Sequence, residues 1–276
     1  MIAPVRIAEE LRRPFEVDAG HVASFREDGF VRIKNVFSAE LLEYFRGKVG
    51  AAVERYSQPR APIEERSTYD KAFLQITNLW RRDEAVREFV LSARLGSIAA
   101  ALMEVSGVRL YHDQALYKEP GGGFTPWHAD QYYWPLASDR TITAWVPLQA
   151  TPLEMGPLAF CKGSQRLSFG RDLEISDESE ASLKAVLAKY DSDEAPFELG
   201  EASFHGGWTF HRAGSNRTDR MREVMTVIYM DKEMRLAAPR NRHQEIDRDA
   251  FCPAVAPGAP IATELNPVIY SSRGSG

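Results

Sequence analysis

The sequence predicts a mainly β fold, a jelly roll or other double-sheet core buttressed by helices. Two observations carry this. Apolar residues recur at helical spacing up to about residue 106, and after Gly107 they fall into many short strand-like segments bounded by turn residues. Helices first and short strands afterwards, with no linker and no internal repeat between them, favour one domain over all 276 residues.

Residues 1–20 read as a loosely held arm, and residues 21–106 as a mostly helical buttress. Within the buttress, His21 to Asp28 is a short helix stopped by Gly29, and Phe30 to Val36 alternates like a strand with one buried face. Ser38 is placed to cap a helix whose stripe is Leu41, Leu42, Phe45, Val49 and Val53. Arg60 to Ser67 reads as a charged loop, and Asp83 to Val105 as helix again. The core spans 107–235. Its predicted strands are Val108–Tyr111, Gln114–Tyr117, Thr141–Leu148, Pro157–Cys161, Ala202–Phe204, Trp208–His211 and Glu223–Tyr229. The acid-rich stretch from Asp172 to Ala195, with a polar helix over Asp177–Lys189, is an insertion expected to act as a lid. A C-terminal segment, 236–276, completes the chain.

Composition narrows the function classes. Hydrophobic residues make up 44% and charged residues 26%, enough to bury a sizeable core. No apolar run approaches the roughly 18 residues of a membrane span, and the first residues lack the apolar core of a signal peptide. A net charge of -5 leaves no basic excess to neutralise phosphates, which argues against nucleic acid. Cys161 and Cys252 make neither a disulfide framework nor a CxxC site, so a reducing cytoplasm is the expected location. The expected partner is a small molecule, with the chain a monomer or homodimer.

Among six histidines, the informative one is in His128-Ala129-Asp130. On an extended backbone, residues i and i+2 project to one side, so the imidazole and carboxylate can converge. His211 follows another strand-like segment, 81 residues after Asp130. Two histidines and one carboxylate form the facial triad that holds non-haem Fe(II) and leaves positions open. A bare HxD also suits an ordinary histidine beside an acid. Its context adds Arg222, eleven residues past His211 and just before the apolar run from Glu223. A guanidinium offers a planar fork matched to a carboxylate, as a 2-oxoglutarate-using oxygenase requires.

Three segments, Pro126-Trp127-His128-Ala129-Asp130-Gln131-Tyr132-Tyr133-Trp134, Gly156 to Ser164 and Trp208 to Thr218, resemble the phytanoyl-CoA dioxygenase family of iron(II)/2-oxoglutarate oxygenases. The resemblance runs from about Phe25 to Val268. It implies a cupin-like double-stranded β-helix with iron near one open end, held by His128, Asp130 and His211. It also implies Arg222 as the 2-oxoglutarate anchor, with Gln114 and Lys118 as further contacts to the cosubstrate. One departure is Ala213, where family members frequently carry a hydroxyl residue; Thr143 or Thr226 is the expected substitute. Trp145 is divided between core and cosubstrate wall. Gln131 to Trp134 are expected at the mouth, with Tyr132 and Trp134 in the substrate pocket, and Asn78 recurs near the site in some relatives. His112 and Asp113 are expected to be structural, His205 a strand-end residue, His21 and His243 exposed, and Cys161 buried.

The resemblance implies a dioxygenase that takes Fe(II), 2-oxoglutarate and O2, oxidises an unactivated C–H bond of a small organic substrate, and releases succinate and CO2. Hydroxylation is the default outcome, and a natural-product intermediate suits the absence of a basic CoA-binding patch. An acyl-CoA hydroxylase, a non-catalytic jelly-roll binding protein and a zinc hydrolase are the alternatives. A halogenase needs a small residue where Asp130 stands.

Overall fold

The computed structural model describes residues 2–272. In chain order the elements are α1 (Pro4–Arg12), α2 (Ala19–Asp28), β1 (Phe30–Ile33), α3 (Ala39–Tyr56), α4 (Thr68–Ala72), β2 (Leu74–Thr77), α5 (Glu84–Val90) and α6 (Ala93–Leu102). The core follows with β3 (Gly107–Lys118), β4 (Thr125–His128), β5 (Thr141–Pro147), β6 (Leu158–Cys161), α7 (Asp177–Leu187), β7 (Ser192–Glu194), β8 (Ala202–Gly206), β9 (His211–Ala213) and β10 (Arg222–Asp231). The last two are α8 (Arg242–Phe251) and β11 (Val268–Ser271). No helix among the described residues is long and apolar enough to cross a membrane.

Two antiparallel sheets form the double-sheet core. The larger runs β1-β8-β5-β10-β3-β11, with β2 also on β3, and the smaller runs β4-β9-β6-β7. Alternation along the larger sheet divides its two faces. On one face Ala144, Val146, Phe204, Met225, Val227 and Tyr229 join the main hydrophobic core with α3, α5 and α6. On the other, Thr143, Trp145, Thr226 and Ile228 line a cavity between the sheets. This two-sided burial is why the strands carry polar residues at positions enclosed by protein.

Local signals explain the boundaries. Asp18 caps α2 by accepting from His21 N, and Gly29 ends it at φ 84°, a left-handed conformation favouring glycine. A Cβ at Gly29 would collide with the side chains of Gln165 and Thr209. Ser38 caps α3 as expected, accepting from Leu41 N, and the predicted stripe is buried.

Several expectations are corrected. The arm at 1–20 is not loose: Ile2, Ile7 and Leu11 are buried in the main core, and the Ser92 hydroxyl donates to Leu11 O. The helix predicted from Asp83 to Val105 is two helices, because Ser92 starts a new one by capping Leu95 N. Strand β2 lies in a stretch with no strand expectation; it is only four residues long. The two strands predicted around residues 112–113 are one strand, β3, whose middle carries the buried polar pair His112 and Asp113. Trp208 to Phe210 is a turn leading into β9, tied by Thr209 N to Gly206 O and Thr209 Oγ1 to Gly29 O. Helix α7 stands where the polar helix was expected, and it is docked: Leu183 and Leu187 are buried beside Trp127 and Phe210, and Glu180 accepts from Trp127 N at 2.7 Å.

Candidate metal and cosubstrate site

Strand β4 ends in His128, Ala129 continues extended at φ -122° and ψ 127°, and Asp130 begins a 3-10 turn. The extended step brings both side chains to one side. On the neighbouring strand, His211 stands in register with His128. Ligand atoms of His128, Asp130 and His211 all lie within 4.8 Å of one another, and the three could hold a metal ion.

Hydrogen bonds fix how these groups present themselves. His128 Nδ1 lies 2.8 Å from Pro126 O, and His211 Nδ1 lies 3.0 Å from Thr209 O. Each Nδ1 therefore carries the proton, and each Nε2 keeps a lone pair facing Asp130. Burial, together with the neighbouring histidine in each case, pushes both imidazoles down to about 4, so both are neutral at pH 7. Burial alone would raise Asp130, but His211, His205 and His128 together hold its carboxyl well below the usual range. Two neutral imidazoles and one carboxylate are the protonation states a divalent iron site needs. The donor set fits the metal.

Two donors orient Asp130. Thr143 Oγ1 donates to Oδ2 at 3.1 Å, and His205 Nε2 lies 3.3 Å from the same oxygen. Oδ1 is left facing the two histidines, at 3.6 Å from His128 Nε2 and 3.7 Å from His211 Nε2. Thr143 thus engages Asp130, where it was expected beside Arg222. His205, expected to be a bland strand-end residue, lines the cavity and was missed. Its signal lay in alternation: Ala202 and Phe204 face the core, which turns Ser203 and His205 inward.

Arg222 opens β10 and lines the same cavity, of about 630 Å³. It is only 2% exposed, yet it has no acidic partner among the described residues. Nη1 donates to Gly156 O at 2.5 Å, Nε is enclosed without a partner, and the guanidinium lies 5.6 Å from the Trp145 ring centroid. Gly156 sits at φ 70°, and a Cβ there would strike Gly214 O at 2.2 Å, so only glycine brings that carbonyl into place. Burial without a compensating anion pushes Arg222 down to about 10. A buried cation lacking its counter-charge is matched by a carboxylate ligand.

The other predicted residues divide. Gln114, Trp145 and Trp134 line the cavity with Thr226, whose hydroxyl donates to Gln114 O rather than toward Arg222. Ala213 lines it too and leaves Arg222 without a hydroxyl there. Lys118 is fully buried but lies outside the cavity wall; its Nζ donates to Gly123 O and Gly214 O at 2.6 and 2.8 Å. Tyr132 is also outside the wall, packed on Tyr133 and His243. Asn78 adopts φ 50° beside the site and is not part of the lining, whereas its neighbour Thr77 is. Asp113 is structural as expected, accepting from Leu79 N and Trp80 N. His243 is solvent-accessible as expected and also borders the cavity, as do Ile246, Asp247, Ala250 and Phe251 of α8. One apolar residue per turn in so polar a helix gave little sign of a pocket wall.

Comparison with known proteins agrees with this geometry. The profile of the phytanoyl-CoA dioxygenase (PhyH) family matches residues 25–224. A probable alpha-ketoglutarate-dependent hypophosphite dioxygenase of Stutzerimonas stutzeri is 23% identical over 74% of this chain and 76% of its own. A phytanoyl-CoA dioxygenase domain-containing protein 1 homolog of Caenorhabditis briggsae is 22% identical over 83% of this chain and 96% of its own. Among solved structures, the non-heme alpha ketoglutarate dependent carbocyclase SnoK from nogalamycin biosynthesis superposes with a TM-score of 0.77 and 25% identity, over 94% of this chain and 100% of its own. The epimerase SnoN, solved with Fe3+, alpha ketoglutarate and nogalamycin RO, shares the fold at a TM-score of 0.77 and 23% identity, over 91% and 98%. The chain belongs to the phytanoyl-CoA dioxygenase family and is a non-haem iron enzyme dependent on 2-oxoglutarate and dioxygen.

Proposed function

We propose that this enzyme oxidises, by default hydroxylates, an unactivated C–H bond of a small organic molecule bound in the cavity between its sheets. The observation that carries this is the buried, acid-free Arg222 in the same cavity as the His128, Asp130 and His211 cluster. In this reading those three hold Fe(II), and Arg222 takes the distal carboxylate of 2-oxoglutarate. Bound iron with 2-oxoglutarate and dioxygen supplies the oxidant, with succinate and CO2 released. Thr143 and His205 hold Asp130 so that one oxygen is presented to the metal. Trp145 covers one face of Arg222 and keeps water from competing for it.

A cavity of about 630 Å³ is large enough for a ring-bearing substrate beside the cosubstrate. Among the described residues Arg222 is the only lysine or arginine lining it, which speaks against the phosphates of an acyl-CoA and for a free small molecule. SnoK, whose fold this chain shares, belongs to nogalamycin biosynthesis, which supports a natural-product-like substrate.

The test is succinate formation from 2-oxoglutarate with Fe(II) in air, in wild type and Asp130→Ala. Wild type is expected to turn over at least a slow uncoupled reaction, and the variant to lose it with its fold retained. Equal succinate from both proteins would remove the cluster from the chemistry.

A further inference from the structure

Helix α8 closes the cavity at the far end from Arg222. Its N-cap Asn241 and Gln244 both donate to Tyr132 O, and Phe251 is buried against Tyr111, Trp134 and Ile228. Both ends being fixed, the helix presents His243, Ile246, Asp247, Ala250 and Phe251 to the cavity at helical spacing. Along β10 the inward positions run from Arg222 to Ile228, six residues of strand, or roughly 20 Å. Trough and helix thus have a cation without its anion at one end and α8 at the other.

At the α8 end, Asp247 is a carboxyl without a cationic partner among the described residues. The Tyr111 hydroxyl donates to Asp247 Oδ2 at 3.1 Å, and no lysine, arginine or histidine comes within ion-pair distance among the described residues. The neighbouring charges are engaged elsewhere: His243 Nε2 with Glu174 at 2.7 Å, Arg242 with Glu245 and Arg248 with Asp249. Beside it on the wall, His112 is 1% exposed and stacked on Phe251 at 4.0 Å, and its Nδ1 lacks a hydrogen-bond partner. Burial pushes His112 down to about 4, so it stands neutral there as an acceptor-bearing ring rather than as the missing cation. Phe251, Trp134 and Ile246 make the remaining surface apolar.

We propose that Asp247, oriented by Tyr111 on the wall it shares with His112, is the recognition point for a protonated amine carried by a ring-bearing substrate. This assignment rests on the oxygenase reading of the same cavity and supplies its substrate class. Burial, with a smaller push from the like charge of Asp130 and against the Tyr111 hydrogen bond, also raises the Asp247 carboxyl to about 7. An amine there completes the ion pair, and the apolar wall takes the ring. A carboxylate-bearing substrate would instead face Asp247 and Glu174 and be repelled.

The experiment compares benzylamine, benzyl alcohol and benzoate, three probes with one ring and different heads. Their binding to protein loaded with Fe(II) and 2-oxoglutarate, without dioxygen, is measured by ligand-observed NMR. Benzylamine should bind about ten- to a hundredfold more tightly than benzyl alcohol, the range of one charge-assisted hydrogen bond. Benzoate should bind least. In Asp247→Asn the amine preference should vanish while 2-oxoglutarate affinity and melting temperature stay unchanged. Tyr111→Phe, which keeps the ring and removes the orienting donor, should weaken benzylamine alone. An amine-to-alcohol ratio equal in wild type and Asp247→Asn, or a preference for benzoate, overturns the proposal and leaves the oxygenase reading intact. Failure of the wild type to bind 2-oxoglutarate at all would overturn both.

Discussion

Replacing Arg222 with leucine separates a ligand-binding arginine from a structural one by the sign of its effect on stability. In the ligand-free protein the guanidinium is 2% exposed, has one carbonyl acceptor on Gly156 and faces no acid among the described residues. Such a charge stabilises little, since its desolvation opposes the single bond it makes. Arg222→Leu removes about 1 kcal/mol of hydrogen bond and a stacking contact with Trp145, and with them an uncompensated buried charge. The ligand-free variant should therefore match wild type within about 1 kcal/mol, or exceed it. Binding should respond oppositely. Breaking a buried charge pair costs about 3–5 kcal/mol, so 2-oxoglutarate affinity should fall by roughly two to four orders of magnitude. Anaerobic thermal unfolding with Fe(II) reads both. At a hundredfold excess over the wild-type dissociation constant, 2-oxoglutarate should stabilise wild type by about 2.7 kcal/mol and Arg222→Leu by about 0.4 kcal/mol at most. A variant destabilised by 3 kcal/mol or so without ligand, yet still stabilised by 2-oxoglutarate, would show that Arg222 holds the fold.

Two other perturbations follow from the same geometry. Thr143→Val deletes the 3.1 Å donor to Asp130 Oδ2 while keeping shape, and Fe(II) affinity should drop roughly ten- to a hundredfold with little change in melting temperature; unchanged metal titrations would leave His205 as the sufficient orienting group. Lys118 is held down to about 6, first by burial and then by Arg222, against an ordinary value of 10.5. Between those values only the unfolded chain binds the extra proton, so ligand-free stability should rise with pH from about 6 toward 10.5. Chemical denaturation across that window should show the rise in wild type and lose it in Lys118→Met; an unaltered slope would assign it to other groups.

What could be read from the sequence was what repeats along it or stands in a fixed local pattern. The change from helical to strand periodicity near Gly107 announced the double-sheet core, and Ser38 and Gly29 marked helix ends by their own chemistry. The His128-Ala129-Asp130 triplet needed only an extended Ala129 to converge. Features made by distant contact were harder. Nothing local distinguishes Thr143 as a partner for Asp130 from Thr226, which bonds Gln114 O; the two differ in which strand faces them. Lys118 read as a contact to the cosubstrate, and two glycine carbonyls from separate loops engage it instead. Residues 1–20 read as a loosely held arm, yet Ile7 and Leu11 sit one turn apart on α1 and are buried. The stretch expected to act as a lid contains α7, seated by Leu183 and Leu187, and of its described residues Glu174 and Ile175 border the cavity.

Anomalous diffraction at the iron edge, from crystals grown without dioxygen in Fe(II) and 2-oxoglutarate, locates the metal directly. One strong peak is expected within ligand distance of His128, Asp130 and His211, with a carboxylate of the cosubstrate on Arg222. A peak held by other residues, or a cosubstrate carboxylate paired with a different cation, would contradict these assignments.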